Sequence, residues 1–150
     1  MMTLRSWVAV LPLALLAAPV YGQEPAVAGR IKVVAGEAFV VRAGGEVIPA
    51  QAGQPVYQAD SLRTGADGRL GVTLQDDTRV SLGPSSEVRV DRFAFAPAEG
   101  QIALVLRMAR GVMAYVSGRI AKLAPDSIRL ETPAAIVGVR GTTLALRVSE

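Results

Sequence analysis

Apolar residues at every second position, in short runs closed by turn-forming residues, constrain this chain more than any other feature. The clearest runs are Leu70, Val72 and Leu74, then Val80 and Leu82, then Val88 and Val90. A period of two is that of a strand with one buried face; a helix would return its apolar stripe every three to four residues. Asp76-Asp77 separates the first two runs and is expected to close a hairpin, and Gly83-Pro84-Ser85 separates the second from the third. Earlier in the chain, residues 31–34 and 38–42 read as a first strand pair with Gly36 at the turn, and residues 46–48 follow Gly44-Gly45. Later, Ile128 with Leu130, and Leu144 with Leu146 and Val148, repeat the alternation. Short strands spaced in this way predict an all-β fold, whether sandwich, barrel or solenoid.

Two stretches admit more than one reading. Over residues 101–123, Ile102, Leu106, Ala109, Met113, Val116, Ile120 and Leu123 step by four and three, as on a helix face. Ile102, Leu104, Leu106 and Met108 also alternate as a strand would, and Gly111 and Gly118 would cost a helix about 2 kcal/mol together. The second stretch is a spacing of arginines. Arg69, Arg79 and Arg89 each stand just before an inward-facing Leu70, Val80 or Val90. They form either a basic stripe for an anionic ligand or a solvated face paired with Asp67, Asp77, Glu87 or Asp91.

Composition narrows the chemistry. The 150 residues predict one domain, and a hydrophobic share of 51% is ample for a core. Cysteine, histidine and asparagine are absent, which excludes disulfides, a thiol nucleophile, a cysteine–histidine zinc site and a Ser–His–Asp triad. The lysines are Lys32 and Lys122, neither in a Ser-x-x-Lys pairing, and no glycine loop of the phosphate-cradling pattern occurs. Asp60, Asp67, Asp76 and Asp77 do not have the spacing of a helix-flanked calcium loop and read as turn residues. Lysine and arginine number 16 against 13 acidic residues, with signs interleaved and aromatics at 5%, a poor footprint for nucleic acid. No catalytic residue, cofactor or metal is expected, although a pair of facing carboxylates serving glycoside hydrolysis stays open.

The opening residues read as a targeting segment. Arg5 precedes an apolar stretch over residues 7–20, interrupted by Pro12 and Pro19, and Val20-Tyr21-Gly22 leads into polar Gln23 and Glu24. A charged start, a short apolar middle and small residues before a polar one are the signal-peptide arrangement, and the stretch falls short of the ~20 residues of a membrane span. Cleavage is expected after Gly22, with Ala18 as the alternative. Residues 1–22 are thus assigned to a signal peptide and residues 23–28 to a short linker.

The segment over residues 131–143, ETPAAIVGVRGTT, closely resembles the signature that closes FecR-type domains, a family named after a bacterial iron-dicitrate sensing regulator. Its landmarks are Thr132, Pro133, Gly138, Arg140, Gly141 and Thr142. Others agree in order: Gly36-Glu37-Ala38, Thr64-Gly65, Asp67-Gly68-Arg69-Leu70, Asp77-Thr78-Arg79, Pro84, Ser86, Gly111-Val112 and Ser117-Gly118. The resemblance spans residues 29–148. It departs from the pattern at Gln58-Ala59-Asp60, where a Gly-Asp pair is common, and at Asp76-Asp77-Thr78, where Asp-Gly-Thr is usual. It implies an all-β, solenoid-like stack of short strands and hairpins, with a β-sandwich as the alternative, and it favours strand over residues 101–116.

The motif residues carry two readings. In one they are structural: Gly138 and Gly141 occupy positions that a side chain would obstruct, and Arg140 locks a turn by bonding carbonyls or a carboxylate such as Glu131. In the other they contact a ligand or partner. For the whole chain, the resemblance implies a non-enzymatic periplasmic module, without membrane insertion after cleavage, that binds an envelope or periplasmic protein in a signalling role. Complete relatives add a cytoplasmic sigma-regulating segment and a membrane helix, for which this sequence has no counterpart. A cell-wall or polysaccharide-associated protein binding glycan is the alternative, with Tyr57, Phe93, Phe95 and Tyr115 as its candidate platform, and a structural envelope domain is the third.

Overall fold

A computed structural model describes residues 17–19, 22, 25–141 and 143–149. The signal peptide expected over residues 1–22 falls almost wholly outside the described residues, as does Thr142. Twelve strands follow: β1 (Val27–Ala35), β2 (Ala38–Val41), β3 (Val47–Pro49), β4 (Pro55–Tyr57), β5 (Ser61–Thr64), β6 (Arg69–Leu74), β7 (Arg79–Leu82), β8 (Glu87–Ala96), β9 (Gln101–Val116), β10 (Ile128–Glu131), β11 (Ile136–Gly138) and β12 (Thr143–Val148). One short helix, α1 (Arg119–Leu123), lies between β9 and β10. β1 takes in Val27 and Ala28, two residues that composition had placed in the linker.

The first expected hairpin does not form. β1 and β2 pair not with each other but each with a different half of the next strand. Gly29 faces Leu74 and Ala35 faces Arg69 on β6, whereas Ala38 faces Thr64 and Val41 faces Ser61 on β5. The two pairings follow one another across a step of three residues on one strand against five on the other, so β1 and β2 make one long strand broken at Gly36-Glu37. β5 and β6 are likewise one strand broken at residues 65–68, and β7 and β8 one broken at residues 83–86. These lie antiparallel to each other and then to β9, with Leu70 opposite Leu82, Arg63 opposite Glu87, Leu82 opposite Met113 and Val88 opposite Met108. The far side of β9 is shared by β10, parallel beside Leu104 to Arg107, and β12, antiparallel beside Gly111 to Val116.

The breaks are where the sheet folds over. Tyr57 on β4 faces Val27 at one end of the first long strand, and Ser61 on β5 faces Val41 at its other end. A straight strand would hold those ends roughly 45 Å apart at ~3.3 Å per residue. The Gln58-Ala59-Asp60 link reaches only ~13 Å. The strand therefore has to bend at Gly36, and its neighbours bend with it. The link is held by Asp60, buried, which accepts from the backbone N–H of Tyr57 at 2.8 Å and from the Arg42 guanidinium.

The result is a curled, open sheet around one core. Val40, Leu62, Val88, Leu104 and Leu106 on one side of the bend meet Ile31, Leu70, Val72, Val80, Met113 and Tyr115 on the other in a single cluster. Burial raises the Tyr115 hydroxyl above its ordinary pKa, an effect the neighbouring Ser117 and Thr78 side chains partly offset. The all-β class holds, but the solenoid-like stacking gives way to folded antiparallel hairpins, with β9–β10 the one parallel pair among the described residues.

The stretch at residues 101–123 divides. Its first 16 residues are β9, flanked on both sides, and helix appears only over Arg119–Leu123. The Asp76-Asp77 turn does close the β6–β7 hairpin. Asp76, fully buried, accepts from Thr78 Oγ1 at 2.7 Å and from the backbone N–H of Ile120 at 3.2 Å, tying that turn to α1. The arginine stripe does not assemble. Arg69 and Arg79 stand at opposite ends of the β6–β7 hairpin, and Arg89 lies beyond the bend, paired with Asp91 at 3.2 Å.

Candidate functional site

The closing signature is a surface feature. β10 leaves the core after Leu130, and the chain reverses over residues 132–135. Thr132 shapes that turn: its N–H donates to the Ala135 carbonyl at 2.8 Å, and its Oγ1 accepts from the Ala135 N–H at 3.1 Å. Pro133, which has no N–H to satisfy, suits the second position of such a turn. β11 follows, pairing only with β10, with Ile136 67% exposed. Val139 returns to the core.

Arg140 does not reach Glu131. Its Nη2 lies 3.3 Å from Asp126, in a pair whose side chains are 83% and 87% exposed, while Glu131 is held by Arg107 at 3.0 Å. An ion pair so exposed contributes about 0–1 kcal/mol, too little to lock a turn. A Cβ at Gly138 would meet nothing within 4 Å, so obstruction is not its reason. Gly141 also stands in open space, but its φ of 49° is left-handed. Of the motif residues, Thr132 and Pro133 build a turn and Gly138 and Arg140 face solvent; Thr142 lies outside the described residues.

β12 then runs along β9 and has no other strand partner among the described residues. Leu144, Leu146 and Val148 lie over the core margin, opposite Tyr115, Met113 and Gly111, and Thr143, Ala145 and Arg147 face outward. The edges at β3, β4 and β11 are each three residues long; that of β12 is six. An open edge offers a row of backbone donors and acceptors to any extended segment of matching register.

Sequence reasoning missed the bend, although its residues were in view. Gly36, Gly65, Gly68, Gly83, Ser86 and Gly111, each noted in the sequence as a turn position or a family landmark, line up across four neighbouring strands where the sheet folds. A Cβ at Gly68 would overlap the Glu37 carbonyl oxygen, and one at Gly111, where φ is 93°, would overlap the Cα and Oγ of Ser86. Ser86 Oγ accepts from the Val112 N–H at 2.8 Å, and its own N–H donates to Thr64 Oγ1 at 2.9 Å, so buried hydroxyls replace the lost ladder bonds. A recess of about 560 Å³ lined by Thr64, Pro84, Ser85, Arg110, Gly111 and Val148 opens beside it, at the end of β12.

Three carboxylates beyond the bend are engaged. Glu87 lies 3.4 Å from Arg63 and 3.3 Å from Arg110, and Asp91 and Glu131 each lie 3.0 Å from Arg107. The four candidate platform aromatics are engaged too. Arg42 covers Tyr57 at 4.9 Å and Arg119 covers Phe95 at 4.6 Å, Phe93 packs on the core and Tyr115 is buried. Among the described residues no three acidic groups gather as metal ligands would, and no helix is long and apolar enough to cross a membrane.

Comparison with known proteins agrees with the signature. No curated protein matches the chain. A solved structure described as a cell surface anchoring domain is 25% identical over 43% of this chain and 84% of its own, with a TM-score of 0.41. The profile of the family described as FecR protein matches residues 60–150, from the buried Asp60 through the bend and the closing signature. The chain belongs to the FecR protein family.

Proposed function

We propose that this chain is a non-enzymatic periplasmic module of the cell envelope that binds an extended segment of a partner protein along β12, in a signalling-associated role. The observation that carries this reading is the six-residue edge of β12, open among the described residues and backed by half-buried Leu144, Leu146 and Val148. Main-chain bonds to such an edge give affinity, and alternate side-chain positions give specificity. Family membership supports the envelope address, and the charged start and short apolar stretch of residues 1–22 support export. Binding is favoured over hydrolysis because Glu87, Asp91 and Glu131 are each held by arginine, and the glycan alternative loses its platform because Tyr57 and Phe95 are covered by arginines, Tyr115 is buried and Phe93 packs on the core.

The test is a photo-crosslinking amino acid placed at Ala145, with the same group at Arg63 on the opposite side of the bend as control. A defined protein adduct from Ala145 and none from Arg63 is the expected result. Adducts of equal yield from both, or none from Ala145, overturn the assignment of β12.

A further inference from the structure

The outward faces on the two sides of the bend are built differently. Beyond the bend, β5, β8, β9 and β10 alternate charges across neighbouring strands, with Glu87, Asp91 and Glu131 threaded between Arg63, Arg89, Arg107 and Arg110. Before the bend, register places three outward rows across β1, β6, β7, β9 and β12. The middle row is Val33, Gly71, Ser81, Ala114 and Ala145. The row on one side holds Arg30, Thr73, Arg79, Val116 and Thr143; that on the other holds Ala35, Arg69, Val112 and Arg147. These rows contain four arginines and no carboxylate.

Arg69, Arg79 and Arg147 are exposed and have no carboxylate partner among the described residues, and Arg30 spends one bond on the Gly53 carbonyl at 3.1 Å. Lys32, exposed, stands beside them at the β1 bulge. The neighbouring acids lie at the margins: Glu37 and Asp67 at the bend, and Asp77 at the hairpin turn, where it is paired with Arg119 at 3.3 Å.

We propose that this face docks on an anionic lipid surface. Five strands ~4.8 Å apart make a platform about 19 Å across, and its arginine rows stand ~13 Å apart. The cations are thus spread over a plane rather than gathered in a groove. Guanidinium groups at such spacing match phosphates arrayed in a plane, each able to take two N–H donors. The floor of glycine, serine and alanine lets lipid headgroups approach, and it carries no aromatic ring on which a sugar would stack. A protein partner would need a large apolar anchor to fill, and Val33 is the largest apolar side chain in the middle row. The surface shares β12 with the proposed binding edge, but Arg69 and Arg79 lie on β6 and β7, away from that edge, so changing them tests this face separately.

The test is co-sedimentation of the mature chain with vesicles of phosphatidylglycerol and phosphatidylcholine, against phosphatidylcholine alone. Binding only to the anionic vesicles, weakening as salt rises, is expected. The double variant Arg69→Gln/Arg79→Gln should bind about 25-fold more weakly, at roughly fivefold per charge, with an unchanged melting curve. The control Arg92→Gln/Arg129→Gln removes two exposed charges beyond the bend and should bind as the parent does. Equal binding to both vesicle types, an equal loss in the control pair, or tighter binding to soluble polyphosphate or alginate than to vesicles would each overturn the proposal.

Discussion

Two glycine-rich regions of this chain look alike as letters and are opposite as structures. At the bend, Gly68 and Gly111 leave no room for a Cβ, and the polar groups of Thr64 and Ser86 are buried among the strands they join. In the closing signature, Gly138 and Gly141 meet nothing within 4 Å, and Arg140 and Asp126 pair in solvent. The region that identifies the family most readily is therefore not the region that holds the fold. A glycine there keeps the surface bare, whereas a glycine at the bend lets one backbone lie against another.

The sharpest way to break this contrast is at Gly111. Replacing it with alanine sets a side chain on a left-handed backbone and against the Cα of Ser86, which its backbone bonds to Thr64 hold in place. The expected loss is about 3 kcal/mol or more, read as a fall in the denaturation midpoint. A loss below about 1 kcal/mol would show that the bend yields. Ser86→Ala comes next. It leaves the Val112 N–H buried without its acceptor, for an expected loss of about 1–3 kcal/mol in the same measurement. The signature should respond least. Gly138→Ala is expected to be neutral or to stabilise by up to about 1 kcal/mol, because its backbone is open to a side chain. Arg140→Gln should change stability by less than about 0.5 kcal/mol. A larger loss from either would return the signature to a structural role and erase the contrast.

Much of the architecture was legible in the residues. The alternation at Leu70, Val72, Leu74, Val80 and Leu82 located β6 and β7, and Asp76-Asp77 located the turn between them, because adjacent strands and a tight turn are local events. The alternation at Ile102, Leu104, Leu106 and Met108 competed with a helical period, and only the family resemblance favoured strand; helix survives only in α1. The candidate site was less legible. Thr132 and Pro133 lie in a turn, whose geometry depends on its own few residues. Arg140 was matched to the wrong carboxylate, because Glu131 and Asp126 are both near in sequence and only the sheet register gives Glu131 to Arg107.

What the sequence by itself determined is where strands begin and end and which face of each is apolar, through side-chain period and turn chemistry. What only the tertiary structure decided is whether a glycine break reverses the chain or bends it. Gly36 could have done either. The choice rests on which residues pair on each side of the break, and those partners, Arg69 beside Ala35 and Thr64 beside Ala38, lie in a strand roughly thirty residues away. The closed core is gained only when both halves fold together, so no local pattern records it.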